Sequence, residues 1–263
     1  MPGAPKMPMP VVFFGHGNPM NALERNSFSE GWARIGVAVP KPVAILSISA
    51  HWYTRKTGVT VSPAPQTIHD FGNFPDELFR VQYPAPGAPE LAARICEMLK
   101  PLEVVADEEW GLDHGTWSVL VHAFPKAGIP VIQLAIDATR PNRFHYDLGA
   151  ALAPLRDEGV LIIGSGNIVH NLGLVRWRGD GPAYDWADRF DLKVRDLILA
   201  GNHAPLIDYP SLGEDAMLSV PTPEHYLPLL YVLGAQRPGD AVSFPVEGMA
   251  MGSLSMRSVA IGM

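Results

Sequence analysis

Residues 42–54 read PVAILSISAHWYT, a nearly continuous run of apolar and small residues that ends in a histidine and two aromatic residues. Such a run predicts a strand that is buried on both faces, as in a parallel sheet covered by helices. The same pattern occurs at 10–20, PVVFFGHGNPM, where His16 directly follows an apolar run. Ligands of open α/β sheets bind outside the carboxyl ends of the strands, so two such histidines indicate a site there.

Short apolar runs alternate with amphipathic segments along the chain. This alternation predicts an α/β fold, a single domain whose central, mostly parallel or mixed sheet is covered by helices. We expect a Pro-rich segment at 1–9 and one domain at 10–263. The C-terminal tail indicates two further strands, as an antiparallel edge. The predicted strands are 11–15, 43–50, 104–106, 130–136 and 160–166, and the predicted helices lie around 28–36, 89–99, 116–124, 142–156 and 186–200.

Composition excludes several classes of partner. The chain has 263 residues and a formal net charge of -7, and no basic stripe is visible, so neither nucleic acid nor a membrane surface is an expected partner. Cys96 is the single cysteine, which allows neither an internal disulfide nor a thiolate metal site. No apolar segment approaches the ~18 residues of a membrane span, so we expect a soluble cytoplasmic protein.

Histidines occupy several of the positions where this class of fold carries its chemistry. His16 and His51 each follow a predicted strand, and His170 lies shortly after the GSGN turn that ends the strand at 160–166. Imidazole is the commonest metal ligand and binds in its neutral form. Three other histidines show no such placement and are interpreted as structural or solvent-facing: His122, His145 and His203.

Two more histidines are predicted near helix starts. Thr222 and the proline after it indicate a helix start, which puts Glu224 and His225 in the first turn. His114 follows a possible N-cap, Asp113. Two or three histidines with Glu224 nearby suit zinc or non-haem iron. The chain contains neither HExxH nor GxSxG, and GSGNIVH only partly matches a dinucleotide-binding loop.

The GSGN turn has two interpretations. Gly164 and Gly166 permit close approach, which could bring the amides of Ser165 to Asn167 near a developing oxyanion. This makes Ser165 and Asn167 candidate substrate-binding residues. The alternative is a plain turn from a strand to a helix.

Six segments, in this order, resemble the class III extradiol ring-cleavage dioxygenases, and most of all their DOPA 4,5-dioxygenase subgroup. The segments are GHGNPM, SAHWYT, TIHDFGNFPDELFRVQYPAPG, GLDHGTW, GSGNIVHNL and PTPEHYLPLLYVLGA. The resemblance implies one catalytic α/β domain that inserts O2 into a catechol-type ring and opens it beside the diol. It implies ferrous iron for turnover and zinc in the isolated protein.

The resemblance also implies a set of metal ligands, His16, His51 and His225. The wider class combines two histidines with one carboxylate, the usual facial triad of ferrous oxygenases. Glu224 therefore stays open as an alternative to His225, although the subgroup favours the histidine. A zinc hydrolase that uses Glu224 as a base, or a non-catalytic binding protein on the same fold, remains an alternative function.

Roles for other residues follow from the same resemblance. His170 matches the catalytic acid/base histidine, and His114 matches the histidine that contacts substrate or dioxygen. The loop that contains His69, Asp70 and Phe74 is expected to line the substrate pocket. The particular catechol and the oligomeric state are not predicted from the sequence.

Overall fold

The apolar runs form the centre of an eight-stranded sheet in the structure, a computed structural model that describes residues 7–178 and 181–263. The first six residues of the predicted Pro-rich segment therefore lie outside the described residues. The strands are β1 Val11–Gly15, β2 Ala44–Thr54, β3 Gly58–Thr60, β4 Val105–Asp107, β5 Val131–Asp137, β6 Val160–Gly166, β7 Val242–Val246, β8 Met249–Ala250, β9 Leu254–Ser255 and β10 Ser258–Ile261. The helices are α1 Ser27–Ala38, α2 Asp76–Phe79, α3 Pro89–Met98, α4 His114–Ala123, α5 Asn142–Leu152, α6 Asp185–Leu199, α7 Ala204–Ile207, α8 Glu214–Ser219 and α9 Leu227–Gly234.

The strand order in the large sheet is β4-β3-β5-β2-β6-β1-β10-β7. β5, β2, β6 and β1 run parallel, whereas β10 is antiparallel to both β1 and β7, and β3 is antiparallel to β5. The expected α/β domain with a mixed sheet is confirmed, and the tail supplies the predicted antiparallel edge. β6 lies between β1 and β2, so the segments that follow the carboxyl ends of these three strands lie side by side.

Both faces of the sheet are buried, which explains the continuous apolar runs. Along β1, Val11 and Phe13 pack on the face covered by α3, α5, α6 and α9, and Val12 and Phe14 pack on the face covered by α1 and α4. All four side chains are fully buried. In residues 7–178 and 181–263, no helix has the length and apolar character that crossing a bilayer requires.

The start of the last helix differs from the prediction. α9 begins at Leu227, so Glu224 and His225 lie in the turn before it and not in its first turn. The N–H of Leu227 donates to the carbonyl of Pro223 at 3.0 Å, but Pro228 has no N–H to donate to the carbonyl of Glu224, so the run of helical bonds is interrupted after this first one. The carbonyl of His225 instead accepts a hydrogen bond from the backbone N–H of Asn167, at 2.9 Å.

β2 is longer than the predicted strand, and β3 was not predicted. The pairing of β2 with β5 continues beyond an irregularity as far as Tyr53 and Thr54, so His51 lies within the strand and not just after it. The aromatic and β-branched residues after His51 favour this extension. β3 has three residues, too few to give a periodic pattern.

Candidate metal centre

Five of the nine histidines converge at the carboxyl edge of the parallel strands. They line one cavity of about 200 Å³. His16 follows β1, His51 lies near the end of β2 and His170 follows β6, whereas His114 opens α4 and His225 precedes α9. The position of this cavity agrees with the general rule for open α/β sheets.

Three of these imidazoles form a nearly equilateral triangle. The ring centroids of His16, His51 and His225 are separated by 5.1, 5.3 and 5.1 Å. The Nε2 atoms of His16 and His51 are 3.2 Å apart, and one nitrogen from each of the three rings lies within 4.8 Å of the others. Two ligands that are each about 2.1 Å from a shared ion are roughly 3.0–3.4 Å apart. The donor set therefore fits a divalent metal ion.

A serine fixes the orientation of the first imidazole. The hydroxyl of Ser165 donates to the carbonyl of Gly115 at 2.5 Å, so at 3.0 Å it accepts from Nδ1 of His16. Because a neutral imidazole carries one proton, Nε2 of His16 keeps its lone pair. Outer hydrogen bonds of this kind commonly set the tautomer of a metal-binding histidine.

Carboxylates stand behind the other two imidazoles. Nδ1 of His51 lies 3.2 Å from Oδ2 of Asp70, and Nδ1 of His225 lies 3.3 Å from Oε1 of Glu224. The donor atoms of His16 and His51 form a close group with His225. Glu224 lies in a different group, with His170 and His225. In both pairs a carboxylate adjoins Nδ1, which leaves Nε2 as the remaining donor atom.

Burial favours the neutral forms of His16, His170 and His225. It lowers the pKa of His16 and of His225 well below the ordinary value, and repulsion between the neighbouring imidazoles lowers both further. Burial also lowers the pKa of His170 to about 4. The neutral imidazole is the form that binds metal ions.

Two glycines let the chain segments of the site approach one another. A Cβ atom at Gly166 would overlap the carbonyl oxygen of His225, and one at Gly115 would lie 2.8 Å from Cδ2 of His51.

The N–H of Asn167 is already bonded to His225, and its side-chain amide donates to the carbonyl of Ser255 at 2.8 Å. The amide of Asn167 is therefore occupied and does not point to an oxyanion site.

His170 and His114 line the cavity beside the triangle. The His170 ring stacks on His225, with centroids 3.4 Å apart and planes 6° from parallel. In the described part of the chain, no other side chain hydrogen-bonds the His170 ring. His114 contacts Phe71 edge to face, with centroids 5.3 Å apart.

Apart from Asn18, the rest of the cavity wall is apolar. Phe71 and the predicted Phe74 come from the loop before α2. Sequence reasoning missed the residues from the segments after β6 and around β8 and β9, which have no periodic pattern: Leu172, Val175, Trp177, Met251 and Leu254. Among the described residues that line the cavity, none is Lys, Arg, Asp or Glu.

Four residues expected to bind substrate lie behind this wall, namely His69, Asp70, Ser165 and Asn167. Each of them makes at least one polar contact with another protein group. Nε2 of His69 donates to the carbonyl of Val81 at 3.0 Å, and the contacts of the other three are given above. The histidines interpreted as structural bond a carbonyl or a tyrosine: His122 the carbonyl of Asn21, His145 the hydroxyl of Tyr231, and His203 the hydroxyl of Tyr146.

Comparisons with known proteins agree with this geometry. The family model "Catalytic LigB subunit of aromatic ring-opening dioxygenase" matches residues 11–250. The chain is 51% identical to "4,5-DOPA dioxygenase extradiol" of Escherichia coli K12, over 97% of this chain and 95% of that protein. It is 41% identical to the protein of the same name from Beta vulgaris, over 86% of each. A crystal structure of an uncharacterised E. coli K12 protein superposes with a TM-score of 0.85 at 47% identity, covering 97% of this chain and 100% of that one.

Proposed function

Because the chain belongs to the LigB family of aromatic ring-opening dioxygenases, we propose that its five-histidine cavity binds a divalent metal ion, a catechol and dioxygen. The protein is an extradiol ring-cleavage dioxygenase. The proposal concerns which metal and substrate it binds and what its residues do. The reaction opens the ring beside the diol, and both atoms of O2 enter the product. The observation that carries the proposal is the triangle of three imidazoles beside a mostly apolar, ring-sized cavity.

The metal ligands in this proposal are His16, His51 and His225. Their spacing and the partners of their Nδ1 atoms support the assignment, and the contact of Glu224 with Nδ1 of His225 supports histidine as the third ligand. Ferrous iron bound there supplies the Lewis-acid and redox chemistry of ring opening. A set of three histidines also suits zinc, so we expect zinc in the isolated protein.

The size of the cavity supports a single-ring substrate. An apolar cavity of about 150 Å³ is enough to hold benzene, and this cavity has about 200 Å³. In the proposal the ring lies against Phe71 and Phe74, and its substituent points to Leu172 and Trp177, which are largely solvent-exposed. The relatives are named for DOPA, whose charged amino-acid group would remain in water at this mouth.

Proton transfer is assigned to His170. Its ring faces the cavity, and we expect a ring nitrogen to take a proton from a catechol hydroxyl and return it as the ring opens. Nε2 of His114 is positioned to accept a hydrogen bond from the substrate, because its Nδ1 is already bonded to Asp70.

Oxygen consumption tests the proposal. The protein is stripped of metal, loaded anaerobically with Fe(II) and mixed with oxygenated buffer and a panel of catechols that carry methyl, carboxylate or amino-acid substituents. We expect one O2 consumed per catechol, and a product that has gained both oxygen atoms. Hydrolysis of esters by the zinc form, without oxygen uptake from any catechol, would instead support the hydrolase.

Single substitutions separate the proposed roles. His16→Ala and His51→Ala should lose bound metal, whereas His170→Ala should keep the metal and lose most turnover. His203→Gln is the control, because His203 lies outside the cavity and should retain both properties. Full metal stoichiometry in His16→Ala, or parental turnover in His170→Ala, would contradict the corresponding role.

A further inference from the structure

We propose that Asp70 is a positioning residue that orients two histidines of different function at once, the metal ligand His51 and the substrate contact His114. This inference rests on the roles assigned to these histidines in the proposed function. It differs from the sequence-based expectation that Asp70 touches substrate, because the carboxylate lies behind both rings and not among the residues that line the cavity.

Three contacts engage both oxygens of the Asp70 carboxylate. Oδ1 accepts from the backbone N–H of His114 at 2.9 Å and from its Nδ1 at 3.0 Å. Oδ2 lies 3.2 Å from Nδ1 of His51. The two imidazole rings, with centroids 3.8 Å apart, are thus tied to one side chain.

These contacts set the tautomer of both rings. A carboxylate oxygen accepts hydrogen bonds, so Nδ1 of His114 and Nδ1 of His51 each donate to Asp70. A neutral imidazole carries one proton, so both Nε2 atoms keep their lone pairs. For His51 that lone pair is a metal donor, and for His114 it is an acceptor for a substrate hydroxyl.

The backbone around Asp70 is anchored to the segment that leads into α4. The N–H of Ile68 donates to the carbonyl of Leu112, and the N–H of Leu112 donates to the carbonyl of Gln66, each at 2.7 Å. Nε1 of Trp117 donates to the carbonyl of Ile68, also at 2.7 Å. These bonds fix the loop against the start of α4, so the Asp70 carboxylate is held next to His114 by the backbone as well as by its own contacts.

Asp70→Asn discriminates positioning from a merely structural contact. The amide oxygen can still accept from the backbone N–H of His114, so the start of α4 keeps its partner. The other carboxylate oxygen becomes an NH2 group, which cannot accept a hydrogen bond from Nδ1 of His51. Asp76→Asn is the matched control, because Asp76 opens α2 shortly after that loop and its carboxylate is highly exposed, with a distant contact to Arg80.

Zinc affinity is the first measurement, because it does not require turnover. Competition with a chromophoric chelator should give a zinc dissociation constant that is about 10–100-fold larger for Asp70→Asn than for the parent. The value for Asp76→Asn should be unchanged. The visible spectrum of the Co(II)-substituted protein should change in Asp70→Asn alone. Parental zinc affinity and a parental Co(II) spectrum in Asp70→Asn would overturn the proposal.

The link to His114 is tested with the Fe(II) enzyme. Asp70→Asn should raise KM for a catechol, and in a His114→Ala background the same substitution should leave KM unchanged but still weaken zinc binding. Full additivity of the two effects on KM would overturn the shared role.

If Asp70→Asn does not fold, Asp70→Ser is measured in the same way. Retention of zinc by His51→Ala would overturn the metal site itself, whereas retention by Asp70→Asn alone would overturn only this inference.

Discussion

Gly115→Ala provides a test of how closely the site is packed. Gly115 is the second residue of α4, and a Cβ atom there would lie 2.8 Å from Cδ2 of His51 and 2.5 Å from Oγ of Ser49. Neither neighbour can move freely. Asp70 holds the ring of His51, and the hydroxyl of Ser49 donates to Asp113 at 2.7 Å.

The expected displacement of the His51 ring follows from these distances. Carbon atoms in contact are about 3.5–4.0 Å apart, so the ring of His51 must shift by roughly 0.7–1.2 Å. Misplacement of a reacting group by about 1 Å can lower turnover about 100-fold. Helix propensity alone predicts that Gly115→Ala stabilises the folded protein, because alanine is favoured over glycine in a helix by about 1 kcal/mol. Overpacking opposes this gain by about 1–3 kcal/mol.

Zinc affinity, Fe(II)-dependent oxygen uptake and thermal unfolding are measured on Gly115→Ala and on Gly128→Ala. Gly128 is the control, since the nearest atom to an added Cβ there is a carbonyl oxygen at 3.8 Å. We expect Gly115→Ala to bind zinc at least tenfold more weakly and to lose most turnover, and the control to change neither. Parental zinc affinity with turnover within about threefold of the parent would refute this packing argument.

Three further outcomes are expected. Ser165→Ala removes the partner of Nδ1 of His16 and should weaken zinc binding about tenfold. Ser118→Ala, which truncates a buried hydroxyl that has no hydrogen-bond partner among the described residues, should not; equal affinities would contradict this. Burial lowers the pKa of His145 to about 4, so between its unfolded and folded values the unfolded chain binds more protons and stability falls on acidification. Urea titrations of His145→Gln should therefore show about 2 kcal/mol less loss between pH 8 and pH 5 than the parent, and parallel pH profiles would contradict this. Metal removal should lower the unfolding free energy by about 2.7 kcal/mol relative to zinc at 100 times its dissociation constant, and an unchanged melting temperature would contradict zinc binding to the folded state.

The parallel centre of the sheet could be predicted because its strands are buried on both faces. β1 and β6 have the predicted bounds, since each apolar run is closed by a glycine and then a polar residue. The alternation of such runs with amphipathic segments was sufficient for the α/β class. β3 was not predictable, because its pairing with β4 and β5 depends on tertiary contacts and not on local pattern.

The site could be predicted as a set of histidines but not as a network. Strand ends and the family motifs indicated the five histidines that line the cavity, including His114 and His170. No sequence pattern indicated that Asp70 contacts two imidazoles, because its partners lie far apart along the chain. The apolar wall from the later loops was missed for the same reason.

The place of β6 between β1 and β2 has a consequence for the order in which the molecule assembles during synthesis. β1 and β2 leave the ribosome well before β6, and in the finished sheet each of them pairs with β6. His16 and His51 therefore reach their 3.2 Å separation only after the later strand has entered the gap. Since His225 follows later still, an emerging chain offers metal ions no complete binding site until its sheet has closed.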